Sequence, residues 1–272
     1  MVARPWLLRV AWLVSVTLLW LCALGGTSNA NPAAFVQVSA ATPQGKQSQV
    51  TVTYAQAQVA GDTNILAIGW KNMRSTITAV TDSAGNTYQL GVPTAQLAVP
   101  TPGGDGLSQA IYYAANIKAA AAGANTVTVT FKKAAPLIDI RATEYSGLDR
   151  AIPLDVVQSA SGTGTTSNSG SVTTTAAQEV IFGAGTTTGK FTAAGTNFTS
   201  RIITTPDGDI AEDRFVTATG SYGATATLGG SAAWIMQVVA LRNASQAPTG
   251  VDVVTHLSVL RTTFERSDDA VR

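Results

Sequence analysis

Apolar and polar residues alternate with a period of two along most of the chain. Gln49-Val50-Thr51-Val52-Thr53-Tyr54 puts Val50, Val52 and Tyr54 on one face of a strand and the threonines on the other. Thr126-Val127-Thr128-Val129-Thr130-Phe131 repeats the pattern, and Asn64–Trp70 is a denser apolar run of strand length. Ile77–Val80 and Thr87–Leu90 flank Asp82-Ser83-Ala84-Gly85-Asn86, which reads as a hairpin connection. Pro93–Gly106 reads as a loop, and strand character returns at Ser108–Ala114 and Leu137–Tyr145. In the second half, Glu179–Gly185, Ser200–Thr204, Asp213–Ala218, Ser221–Leu228 and Ala232–Leu241 carry the same character. Helical evidence is confined to an Ala-rich turn at Ile117–Ala124, too short to stand alone. With roughly ten to twelve short strands, the expected fold is all-β: a two-layer antiparallel β-sandwich, jelly-roll-like.

The N-terminus departs from this pattern. Arg4 and Arg9 precede the apolar stretch Val10–Leu24, and Thr27-Ser28-Asn29-Ala30 supplies small residues for a cut before Asn31. Residues 1–30 therefore read as a signal peptide. The apolar run is about 15 residues, short of the ~20 that a spanning helix needs. Cys22 follows Leu19-Trp20-Leu21, which lacks the small residue that precedes a lipid-modified cysteine.

The remainder, 31–242, reads as a single β-sandwich domain. It carries a long Ser/Gly/Thr loop near 159–171. Residues 243–272 read as a C-terminal tail, mobile or docked on a neighbour. They contain the only histidine, His256, and end in the charge-dense stretch Arg261–Arg272.

Composition narrows the function. Charged residues make up 12% of the chain and the net charge is +1. Removing Arg4 and Arg9 from the 17 basic residues leaves 15 against 16 acidic, and Cys22 takes the only cysteine with it. Such a chain has no basic stripe for nucleic acid, no disulfide, and no membrane span after signal removal. Its exterior must be wetted by Thr, Ser, Asn and Gln, with threonine suited to the pleated surface by its β-branch.

Acidic and aromatic residues are the remaining material for a site. Asp207, Asp209, Glu212 and Asp213 crowd a glycine-bearing loop and are candidate ligands for calcium, although their spacing departs from an EF-hand. Asp82, with Asn86 behind it, reads first as the cap of a turn. Asp139 and Arg141, two apart on one strand face, read as a surface ion pair. Tyr88, Tyr112, Tyr113 and Tyr145 are candidate ligand-binding aromatics. Tyr112 and Tyr113 are adjacent, so one faces the core and the other faces out. Trp70 and Trp234 sit inside apolar runs and read as core. No catalytic triad or phosphate loop can be assembled, because the only histidine lies in the tail and no Gly-x-Ser-x-Gly occurs.

Asn64–Trp70, Val80–Leu90, Gly106–Ala114, Asn125–Phe131 and Ile138–Gly147 together resemble a module of exported and cell-surface proteins of environmental bacteria. Asp-Ser-x-Gly-Asn-x-Tyr (Asp82–Tyr88) is its most recognisable part. The resemblance runs from about Val36 to Leu241 and implies a jelly-roll-like β-sandwich, often set beside adhesive domains. It transfers no catalytic residue.

The expected function is an exported, non-enzymatic structural or adhesive module, secreted or at the cell surface. Its expected partners are extracellular proteins, copies of itself included, with Asn31–Thr53 as a candidate donor strand. A carbohydrate-binding module, calcium-assisted or not, remains the alternative. A polysaccharide-degrading enzyme using Glu144 or Glu212 remains a third.

Overall fold

In the first half of the chain, β1 (Ala34–Ala41), β2 (Gln47–Thr53), β3 (Thr63–Trp70), β4 (Ile77–Asp82), β5 (Gln89–Thr101), β6 (Gly104–Ala114), β7 (Thr126–Ala135) and β8 (Asp139–Ser146) follow one another without a helix. The second half adds β9 (Leu154–Asn168), β10 (Val172–Thr173), β11 (Glu179–Thr187), β12 (Phe191–Ala194), β13 (Thr199–Ile203), β14 (Ile210–Val216), β15 (Ser221–Tyr222) and β16 (Thr225–Arg242). These come from a computed structural model that describes residues 32–244. The expected signal segment lies outside the described residues, as does nearly all of the expected tail.

The protein is all-β, with antiparallel sheets packed in layers. A five-stranded sheet, β1-β8-β3-β6-β5, faces a sheet ordered β9-β16-β11-β14-β13. Ile65, Ile111, Tyr113 and Tyr145 from the first meet Val180, Phe182, Val239 and Leu241 from the second. Each large sheet is also covered on its outer face. Val50, Val52, Tyr54, Val127, Val129 and Phe131 of the β2-β7-β4 sheet pack on Leu66, Ile68, Trp70, Ile140 and Ala142. On the other side, Val172, Phe191, Ala226 and Leu228 pack on Ile181, Trp234, Met236 and Val238.

The expected two layers are therefore four, and the sequence pattern shows why. The outer strand β2 alternates, buried only at Val50 and Val52, whereas β3 and β11 are buried along their whole length. A strand covered on both faces carries a continuous apolar run.

The two halves repeat one plan. Counted from β1 and from β9, both large sheets have the order first-eighth-third-sixth-fifth. The covering layer of the first half is second-seventh-fourth. In the second half, β10 pairs with β15, and β12 pairs with the start of β16. The long β16 contributes to both layers. Its residues 226–228 pair with β12 and residues 234–242 with β11, with a register shift between Thr227 and Ala232. Short stretches of sequence correspond at equivalent places. Ala84-Gly85-Asn86-Thr87-Tyr88 joins the fourth and fifth strands of the first half, and Ala194-Gly195-Thr196-Asn197-Phe198 those of the second.

Several connections differ from expectation. β4 and β5 belong to different sheets, so Asp82–Asn86 is an arch between layers and not a hairpin turn. The expected Pro93–Gly106 loop is mostly strand, turning only between Thr101 and Gly104. The expected Ser/Gly/Thr loop at 159–171 is strand β9 as far as Asn168, because β16 offers it a partner along almost its full length. Gly162 is part of the reason: a side chain there would meet the Trp234 ring at 2.8 Å, so glycine lets β9 pass beneath the indole. Of the candidate donor segment Asn31–Thr53, Ala34–Ala41 pairs with β8 and Gln47–Thr53 with β7 of the same chain. Chain entry and exit are neighbours: Ala34 lies opposite Ser146, and the Ala244 amide donates to the Gly147 carbonyl.

Candidate functional site

An open concavity runs between the edges of the two large sheets. It is a groove of about 400 Å³ lined by Val92–Gln96 of β5 and Val157–Ser161 of β9. Both strands are outermost in their sheets, so each presents one backbone edge. The lining side chains are Val, Pro, Thr, Ala, Gln and Ser, with no charge and no aromatic ring. Such a groove offers amide and hydroxyl hydrogen bonds and small apolar contacts. It holds neither the paired carboxylates of a glycosidase nor an aromatic platform for a sugar face.

Several clusters of titratable groups lie elsewhere, enclosed between layers. At one end of the interface between the large sheets, Arg141 on β8 is fully buried. Its Nη1 donates to the carbonyls of Gly185 and Ile210, each at 2.7 Å, and its Nη2 to Gln109 Oε1 at 3.1 Å. Asp139 pairs with Arg141 Nε at 2.9 Å and accepts from Thr204 Oγ1 at 2.5 Å. Asp209 accepts from Thr186 Oγ1 at 2.5 Å and from the Thr187 amide at 3.0 Å, with Arg141 Nη2 at 3.9 Å. Burial first, then the Asp139 carboxylate, push Asp209 up to about 7. Asp139 is raised too, by burial and against the pull of Arg141. Because the donors and acceptors come from both halves, this network fixes how the two sheets align.

At the opposite end of that interface, the Tyr145 hydroxyl donates to Asp213 Oδ2 at 2.6 Å, and Arg201 Nε donates to the same oxygen at 2.8 Å. The Arg201 guanidinium lies 4.1 Å above the Phe35 ring, which meets Tyr145 edge-on. Within the first half, Gln37 Nε2 donates to Glu144 Oε2 at 2.5 Å, and burial, then the nearby Glu144, push the Asp62 carboxyl up to about 6. Within the second, Asp155 binds Arg242 and accepts from the Thr175 amide and hydroxyl. Burial and then Asp155 push Glu179 up to about 8.

These positions account for the expected site residues. Tyr145 is a core residue between the large sheets. Tyr112 and Tyr113 point to opposite faces of β6, yet both faces are covered. Tyr113 joins the interface between the large sheets, and Tyr112 packs against the first half's inner core. Tyr88 is half-buried, its hydroxyl donating to Asp82 Oδ2 at 3.1 Å and accepting from Asn64 Nδ2 at 3.1 Å. The four tyrosines therefore make no exposed platform.

The four candidate calcium ligands are likewise dispersed. Asp207 accepts from Gln44, Asp209 belongs to the Arg141 network, and Glu212 accepts from the Gly195 amide, while Asp213 is held by Tyr145 and Arg201. On a regular strand Glu212 and Asp213 face opposite ways, and among the described residues no group of three acidic, cysteine or histidine side chains is placed to hold a metal. Asp139–Arg141, expected at the surface, is fully buried because β8 lies in a sheet covered on both sides. Trp70 and Trp234 are core.

The Asp82–Tyr88 motif proves to be a brace. Asp82 accepts from the Asn86 amide and side chain at 2.9 and 2.8 Å, from Tyr88 and from Asn125, and Gly85 supplies the positive φ of 72° that the arch requires. Sequence reasoning placed the cap correctly but missed the β5–β9 groove. Its only signal is the run of small uncharged residues that read as a loop.

The fold and groove thus define a layered antiparallel β-protein with an uncharged groove edged by two strands. Comparison with known proteins adds no relative: no family model, no curated protein and no solved structure matches the chain.

Proposed function

We propose that the chain is an exported, non-enzymatic structural or adhesive module of the cell surface or extracellular space, built from two jelly-roll-like sandwiches stacked through their large sheets. The observation that carries this reading is the groove between β5 and β9: its accessible surface is backbone edge and uncharged side chain, while Asp139, Asp209 and Asp213 sit in enclosed contacts between layers. The repeated strand order supports the jelly-roll element. The export-like N-terminus and the resemblance carried by Asp82–Tyr88 support the setting.

The test is binding of the purified chain to cell-envelope and extracellular-matrix protein fractions, beside a polysaccharide array with and without chelator. Retention on protein fractions, unaffected by chelator and without release of sugar, is the expected result. Chelator-sensitive retention on a glycan would replace the reading with a calcium-assisted carbohydrate-binding module. Sugar release abolished by Glu144→Gln or Glu212→Gln would replace it with an enzyme.

A further inference from the structure

We infer that the free edge of β9 is a self-association surface, pairing antiparallel with β9 of a second copy about a two-fold axis. The inference rests on the reading as a structural module and names its partner.

β9 is 15 residues long, and among the described residues its only strand partner is β16. Its opposite edge is therefore open among the described residues. The side chain of Gln158 accepts from the Ser159 amide at 2.9 Å, so that amide points away from β16. With a period of two, the amides of Val157 and Ser161 point the same way. Other outermost strands are blunted. β5 carries Pro93 and Pro100 and three register shifts. β2, β4 and β13 run for seven, six and five residues, and β1 is flanked by Arg201 stacked on Phe35. Proline, bulges, shortness and charge are the usual defences of a sheet edge; from Val156 to Asn168, β9 has neither proline nor charge, and from Val157 to Gly164 its register with β16 is unbroken, the shifts falling on either side of that stretch.

A second copy fits this edge for reasons of charge and area. With no charged residue between Val156 and Asn168, two antiparallel β9 strands oppose no like charges over that stretch. The whole chain carries a net charge of +1, too little to keep copies apart. A 15-residue strand is ~50 Å long, so pairing with a ~10 Å deep edge covers on the order of 1,000 Å² in total. That is the lower bound of a specific interface, so the dimer should be weak and concentration-dependent. The groove beside Val157–Ser161 leaves room for the partner's side chains.

Sedimentation equilibrium of the purified chain tests this. Reversible dimerisation with a dissociation constant on the order of tens of micromolar is expected. Ser161→Pro removes an outward donor that β16 does not use, and Ser161→Lys sets like charges near the axis. Each should weaken dimerisation at least about tenfold. Ser161 is exposed, so Ser161→Lys should keep the wild-type melting temperature and serve as the folded control. A chain monomeric to about 1 mM, or a dimer equally strong in Ser161→Lys, overturns the inference. A monomer that still binds envelope protein would leave the broader reading standing.

Discussion

Replacing Arg141 with Met should be among the most damaging single substitutions in the molecule. Methionine matches the length of the aliphatic stem but removes every donor. The carbonyls of Gly185 and Ile210 lose their 2.7 Å partner, and Asp139 loses its buried counter-ion. A hydrogen bond from a charged donor contributes roughly 1.5–3 kcal/mol, and breaking a buried pair by removing one member costs about 3–5 kcal/mol. These figures describe overlapping losses, so the expected destabilisation is about 4 kcal/mol, a large share of a typical total of ~5–15 kcal/mol. Urea unfolding of wild type, Arg141→Met, Asp139→Asn and the double variant, followed by both fluorescence and circular dichroism, would measure it. The double variant should be less damaged than the sum of the singles by at least about 1 kcal/mol, because the two groups share one contact. The penalty should also grow as pH rises, since burial favours the neutral form of Asp139 and an unpaired Asp139 is tolerated best while protonated. A loss below about 1 kcal/mol, or strict additivity, would refute the reasoning that this network aligns the halves.

Three further expectations concern other parts of the molecule. Asp62, Asp209, Glu179 and Glu212 are raised by burial to about 6, 7, 8 and 8. The stability they contribute is therefore full below the unfolded carboxylate range and is lost as pH rises through 6 to 8. Melting temperature should fall across that window, less steeply in Glu212→Gln, and a melting temperature that rises there would contradict the burial described. Asp82→Ala strands donors from Asn86, Tyr88 and Asn125, and should cost about 2–4 kcal/mol in chemical denaturation; a neutral outcome would remove the bracing role. Intact mass of the exported chain should place its first residue at Asn31, and a retained N-terminus would dismiss the signal-peptide reading.

What could be read from the sequence divides along a physical line. Strands with one wet face, such as β2 and β7, announce themselves by alternation, since water and core impose opposite demands on successive residues. The burial of Arg141 and Tyr145 could not be read that way, because a strand covered on both sides loses the alternation that would assign its faces. β9 hides for a different reason. Its Ser, Gly and Thr residues resemble a linker, and only the length of β16 and the Trp234 ring over Gly162 make it a strand. The duplication escaped notice because topology repeats where sequence does not: the two halves share little beyond Ala-Gly followed by a short polar pair and an aromatic ring.

The adjacency of Ala34 to Ser146 and of Ala244 to Gly147 has a mechanical corollary. A domain whose two connections emerge side by side is not stretched end to end when its flanking segments are pulled apart. Force enters at one pole and leaves at the same pole, so the far end of the stack bears almost none.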